Sequence, residues 1–216
     1  MELASAIEAN LADAIAPNLT SADAACDLYE AYVFTLVLRA ARVENFVVTY
    51  ESVGQAPLGT FIFRTSPGHV YTNTQAYCYA VITSQEGLEL EVHVGVMVRG
   101  RSHVAHECDV LVVERQEAIE CRSNRVDPRH TRSELTVECK FYSKTLALGL
   151  LRSFIGLSAD LNGAENRLVT NVTSASVARL FKAHNRYWTD HLSPGSDGER
   201  RFVGEVASVL HRFQSQ

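Results

Sequence analysis

The order of elements along this 216-residue chain predicts an α/β fold, a mixed sheet with helices packed on both of its faces. Two observations lead there. Helical apolar spacing occupies both ends of the sequence, and from Phe46 the texture turns to runs rich in Val, Ile, Thr, Tyr and Phe. A hydrophobic content of 46% with only 5 Pro is enough for one sizeable core.

The amino-terminal helices are read over about Leu3–Ile15 and then after "TSAD", where Thr20 or Ser21 can cap and Asp23 favours the positive end of the dipole. Leu28, Tyr32, Leu36 and Val43 fall on one stripe of the second. The strands "NFVVTYE", "GTFIFRT", "AYCYAVIT" and "LELEVHVGVMVRG" follow, separated by turn-forming segments. Then "HECDVLVVE" and "LTVECKFY" read as two more strands, joined by a long polar loop from about Arg115 to Glu134 that carries Arg122, Arg125, Arg129 and Arg132. After them Ser143 is placed to cap an apolar helix through "KTLALGLLRSFIGLSADL". "NRLVTNV" reads as a strand, "SASVARLFKAHN" as a helix, "DHLSPGSDGE" as a loop and "ERRFVGEVASVLHRF" as a terminal amphipathic helix. No repeat or interdomain linker interrupts this order, so 1–216 is read as a single domain.

Five Cys without C-x-x-C spacing argue for reduced thiols and against a disulfide framework. With no apolar run of about 18 residues and acidic residues near the start, the chain is expected in the cytoplasm, away from membranes. The net charge of −5 is unevenly spread. Residues 1–92 hold 3 Lys/Arg against 11 Asp/Glu, whereas residues 93–152 hold 10 against 8. A local phosphate-facing surface thus remains compatible with the acidic total, and the four loop Arg are candidates for it beside a solvated-loop role.

Strand parity puts Glu138 and Lys140 on one face of their strand, and Glu107 and Asp109 on one face of theirs. If the two strands pair, carboxylates and an ammonium gather at one end of the sheet. Repelling carboxylates are the usual setting for Mg²⁺, which takes one or two of them plus waters and phosphate oxygens. An amphipathic strand with a wet Glu and Lys is the ordinary reading of the same four residues. Zinc at His103, His106 and Cys108 is disfavoured because residues 103 and 106 fall on opposite strand faces. His184 and Asn185 read as a helix C-cap. P-loop, Rossmann and nucleophile-elbow strings are absent.

The string Asp109 … Glu138-Cys139-Lys140, followed by an apolar helix and then by "NRLVTNVTSASVARLFKAHN", resembles the PD-(D/E)xK nuclease superfamily and its Mrr-type restriction endonuclease-like catalytic domain. The likeness spans roughly residues 88–185, with residues 20–45 as the first helix. It implies a restriction-endonuclease-like sheet carrying an inserted β-hairpin over 46–85. Helices then occupy 1–45, the catalytic core 86–185, and a loop and helix 186–216. It further implies Asp109 and Glu138 as Mg²⁺ (or Mn²⁺) ligands and Lys140 as the catalytic lysine. Glu30, a carboxylate beside Val33, Phe34 and Val37, fits the fourth position, and Glu107 is the alternative for it. Cys108 stands where the superfamily usually has proline. The implied activity is metal-dependent DNA cleavage in restriction or anti-phage defence. A homodimer, or a motor or sensor partner, would provide the targeting. A non-catalytic nucleic-acid-binding or assembly subunit on the same fold is the other function class.

Overall fold

The structure, a computed structural model, describes residues 2–11, 15–143, 146–162 and 164–215. Its elements run α1 (Leu3–Asn10), β1 (Ala16–Pro17), α2 (Ala25–Val43), β2 (Val47–Val53), β3 (Thr60–Phe61), β4 (Tyr77–Thr83), β5 (Glu89–Arg99) and β6 (Ala105–Glu114). They continue with α3 (Arg115–Asn124), β7 (Ser133–Lys140), α4 (Leu148–Asp160), β8 (Glu165–Thr170), α5 (Ala175–Ala183), β9 (Tyr187–Thr189) and α6 (Asp197–Gln214). Seven strands form one mixed sheet in the order β2-β4-β5-β6-β7-β8-β9, antiparallel from β2 to β7 and parallel from β7 to β9.

Helix α2 is apolar almost all round, with Tyr29, Ala31, Tyr32, Val33, Phe34 and Leu36 among its buried residues. A helix of that kind is stable only when covered on every side. Here α1, α6 and one sheet face cover it, joined in a single core with Val92, Val94, Val110, Val112, Leu135 and Val137. The other face carries α3 and α4: Ala118, Cys121, Leu157 and, just past α4, Leu161 pack on Val96, Val98, Leu111 and Val113. Further along, α4 and α5 close over β8 through Leu151, Phe154, Val177 and Phe181. The α/β reading with helices on both faces therefore matches the molecule.

Several element assignments are corrected. The 46–85 segment is not an inserted hairpin outside the sheet. Strands β2 and β4 do pair with each other, but β4 also pairs with β5, so the two extend the central sheet to its edge. The long Arg-bearing loop contains α3, which buries only Glu117, Ala118 and Cys121, too few apolar positions for a helical period to be legible. Its arginines face carboxylates: Arg122 meets Glu91, Arg129 meets Glu117 and Arg132 meets Glu114, while Arg125 lies over Tyr71. Helix α2 starts at Ala25 without a side-chain cap, because Thr20 and Asp23 bond each other in a turn of their own. Val43 is exposed at the end of that helix. Helix α4 begins at Leu148 rather than at Ser143; residues 144–145 of the expected first turn lie outside the described residues, as do 12–14 of the expected first helix. The short strand β9 falls on residues that the sequence reading leaves unassigned, and the reading of His184 and Asn185 as a helix C-cap agrees with the geometry, His184 being the cap with Asn185 at positive φ behind it.

No helix among the described residues is long and apolar enough to cross a membrane.

Candidate active site

The candidate cluster sits where β6 and β7 stop behaving as a regular ladder. From Val112 back to Val110 the two strands are in register, with Leu111 against Thr136 and Val110 against Val137, after a shift between Val112 and Val113. At the next step the Asp109 carboxylate, not a regular strand partner, accepts the Cys139 N–H at 2.6 Å. On the other side of β6, the register Val94–Val110 and Val96–Cys108 leaves Gly95 opposite Asp109. Gly95 has φ +62°, a backbone conformation that glycine adopts without steric cost. Across this point the side chains change faces: Val94 and Val110 belong to the α2 core, Val96 and Cys108 to the α3/α4 core. Such breaks in a strand re-aim side chains and are common beside active sites. Here the break turns Asp109 toward the end of β7, so simple alternation from Glu107 does not fix its direction.

Along β7, Leu135, Val137 and Cys139 are buried in the α2 core, while Glu138 and Lys140 are only partly covered. Lys140 Nζ lies 2.7 Å from Glu138 Oε1 and 3.5 Å from Asp109 Oδ2. The two carboxylate oxygens are therefore no more than about 6 Å apart, within the range at which neighbouring charges govern protonation. The structure thus brings Asp109, Glu138 and Lys140 together.

The electrostatics follow from burial and crowding. Asp109, 5% exposed, is pushed up to about 6, first by burial and then by Glu138, against the pull of Lys140 and the Cys139 N–H. Glu30 is pushed up to about 8 by burial and by Asp109, Glu107 and Asp27. Among the described residues no hydrogen bond or ion pair reaches its carboxylate, so the arginine partner of an ordinary boundary glutamate is missing. Glu107 is raised by burial and by Glu138. For Lys140 burial works against the charge, but Asp109 and Glu138 outweigh it and hold the ammonium protonated. Four carboxylates thus share one electrostatic neighbourhood with one cation. Among the described residues no three His, Cys, Asp or Glu side chains converge closely enough to hold a metal ion as they stand.

Two supporting contacts escaped the sequence reading. Asn171, just past β8, clamps the chain after β7 by accepting the Tyr142 N–H at 2.8 Å and donating to its carbonyl at 2.9 Å. Its signal was the "VTN" string, which gave a strand end but no partner. Tyr29 packs its ring on Phe141 at 5.3 Å, tying the start of α2 to the end of β7. The disfavoured zinc group stays apart: His106 bonds Asp160 of α4 at 2.6 Å, and His103 sits in a turn at positive φ.

Comparison with known protein families, with curated proteins and with solved structures finds no match to this chain.

Proposed function

We propose that this chain is a divalent-cation-dependent nuclease of the restriction-endonuclease-like kind, hydrolysing phosphodiester bonds in DNA. The observation that carries the reading is the convergence of Asp109, Glu138 and Lys140 at a break in the sheet, with one ammonium spanning two carboxylates.

The residues fit a hard cation. Two carboxylates, one forced up in pKa by burial and by its Glu138 neighbour, are the protein share that Mg²⁺ or Mn²⁺ takes when waters and phosphate oxygens complete its shell. Asp109 and Glu138 would hold the ion, with Glu30 close enough in the same field to assist. When bound, the ion would lower the pKa of a coordinated water and offset charge on the phosphate. Lys140, fixed as an ammonium, donates hydrogen bonds rather than accepting a proton, so its work is to orient the attacking water and balance charge on a non-bridging phosphate oxygen. Asp109, tied to the Cys139 N–H, keeps β6 and β7 in the register that holds the group together.

Cutting both strands of a duplex with one such cluster per chain calls for two copies, and a two-fold homodimer is the commonest way to present them. With the first 92 residues acidic, targeting falls to that partner copy or to a second protein such as a motor or sensor. The described Cys26, Cys78, Cys108, Cys121 and Cys139 are all free thiols, in keeping with work in the cytoplasm and, as for restriction enzymes, in defence against invading DNA.

The second reading, a non-catalytic nucleic-acid-binding or assembly subunit, is favoured by one observation: no three ligand side chains converge among the described residues. Supercoiled plasmid and circular single-stranded DNA incubated with Mg²⁺ or Mn²⁺ separate the two. Cleavage by the wild type that falls by roughly 10²–10³-fold in Lys140→Ala is expected, the cost of losing one preorganised donor. Intact DNA with both cations, equally for wild type and variant, would overturn the nuclease reading.

A further inference from the structure

A recess of about 570 Å³ is walled by Leu28 and Tyr29 of α2, by Phe141 after β7 and by Leu192 of the loop before α6. Two of its walls are the chain neighbours of cluster members. Tyr29 precedes Glu30 and Phe141 follows Lys140, so recess and cluster are one residue apart on two separate elements, about 3.8 Å along each chain.

The walls are fixed. Tyr29 is buried, and its hydroxyl donates to the Leu192 carbonyl at 3.1 Å. Leu192 is in turn tied to the end of β8, its N–H donating to the Thr170 carbonyl at 2.9 Å. The Phe141 ring leans on Tyr29 with 50° between planes and is still 40% exposed, so one of its sides lacks cover. At the rim Ser21, Ser193 and the Glu2 carboxylate supply polar groups within an otherwise apolar lining. One partly exposed aromatic ring, Phe141, backed by buried Tyr29, with a few rim donors and acceptors suits a flat, polar-edged ring. Among the described lining residues there is no Lys or Arg, so the recess is not built for a phosphate.

We propose that this recess takes the base of the nucleotide whose phosphate lies at the cluster, and hence that the substrate class is DNA with an unpaired nucleotide at the cut: single-stranded, frayed or locally opened. The assignment rests on the reading of the cluster as a phosphodiester site. A base inside an intact duplex is stacked on both faces and cannot reach Phe141, whereas a splayed base can stack there whatever its identity. Glu2, Ser21 and Ser193 border the recess, where the exocyclic amino groups and ring nitrogens of such a base offer donors and acceptors.

The test uses the full chain and fluorescein-labelled 20-nucleotide DNA, single-stranded and fully paired. Binding is read by anisotropy in the Lys140→Ala background, and cleavage in the Lys140 background. Single-stranded DNA should bind more tightly than duplex. Phe141→Ala should weaken single-strand binding by about 5- to 150-fold, the loss of one base–aromatic stack, and leave duplex binding unchanged, while Phe141→Trp retains it. A 2-aminopurine placed in turn at each position should change its fluorescence on binding at one nucleotide only, and lose that response in Phe141→Ala. Equal binding of the two DNA forms, or single-strand binding indifferent to Phe141→Ala, would overturn the proposal. Normal cleavage with that indifference removes the recess and leaves the cluster's reading in place. Phe141-dependent single-strand binding without cleavage under either cation supports the recess and removes the hydrolytic reading instead.

Discussion

Replacing Asp109 by Asn in the metal-free protein should reveal what the candidate site costs the fold. The Asp109 carboxyl is 5% exposed and titrates near 6 in the folded protein, against 3.8 for an unperturbed aspartate. At about 1.4 kcal/mol per pH unit, the ionised side chain holds a penalty of about 3 kcal/mol above pH 6. The sign follows from proton binding. Between pH 3.8 and about 6 the folded chain holds a proton that the unfolded chain has released, so wild-type stability falls as pH rises through that window and then levels off. Asn carries no charge, and its Oδ1 can still accept the Cys139 N–H that Asp109 now accepts at 2.6 Å. Its amide leaves a buried donor in need of a partner, a cost of about 1–3 kcal/mol that does not vary with pH. Relative to wild type, Asp109→Asn should therefore gain about 3 kcal/mol on going from pH 4 to pH 8. Urea unfolding in EDTA at the two pH values measures this together with the relief of Glu30, which the Asp109 charge helps to raise, so the relative gain is at least of that size. A stability difference that is the same at both pH values would refute the reasoning. Adding Mn²⁺ at about 100 times its Kd should then raise wild-type stability by about 2.7 kcal/mol and leave the variant unmoved.

Arg122→Ala should be among the most damaging surface-helix substitutions, since Arg122 places two bonds of 2.7 and 2.6 Å on Glu91, whose side chain is fully buried. Stranding that carboxylate is expected to cost about 3–5 kcal/mol in urea unfolding, with much of it recovered by adding Glu91→Gln; a loss below about 1 kcal/mol would count against the pair. Gly198→Ala would set a methyl 2.5 Å from the Asp190 carbonyl and 2.6 Å from that of His191 in the first turn of α6. It should destabilise by roughly 1–3 kcal/mol. Gly156→Ala, in the middle of α4 with nothing within 4 Å, should instead stabilise by up to about 1 kcal/mol, and melting curves showing the two alike would contradict this packing.

How much of this was legible beforehand depends on the scale of the interaction. "YCYAVIT" declares its type by a continuous run of aromatic and β-branched residues between turn signals, and "VASVLHRF" by an apolar repeat of about 3.6 residues. Helix α3 was missed because its energy comes from ion pairs with distant strands, Arg122 to Glu91 and Arg129 to Glu117, rather than from an apolar stripe. The fully buried Glu91 and His93, 2.9 Å apart, were not singled out by the sequence, because what keeps Glu91 charged there is Arg122 of the distant α3. Asp109, Glu138 and Lys140 could be named from their string, but strand parity alone does not fix the direction of Asp109, since the packed faces change beside it at Gly95.

The sequence by itself thus determined the class of fold and the polarity of β7, because both follow from local spacing and residue chemistry, while Asp109, Glu138 and Lys140 were singled out by a resemblance. Tertiary structure alone decided that β2 and β4 extend the sheet, that the loop arginines are spent on carboxylates, that Glu30 joins the acidic neighbourhood, and that Tyr29 and Phe141 wall a recess next to it. Each of these joins segments far apart in the chain, and such contacts form only when burial of a shared core offsets the entropy of closing the loops between them.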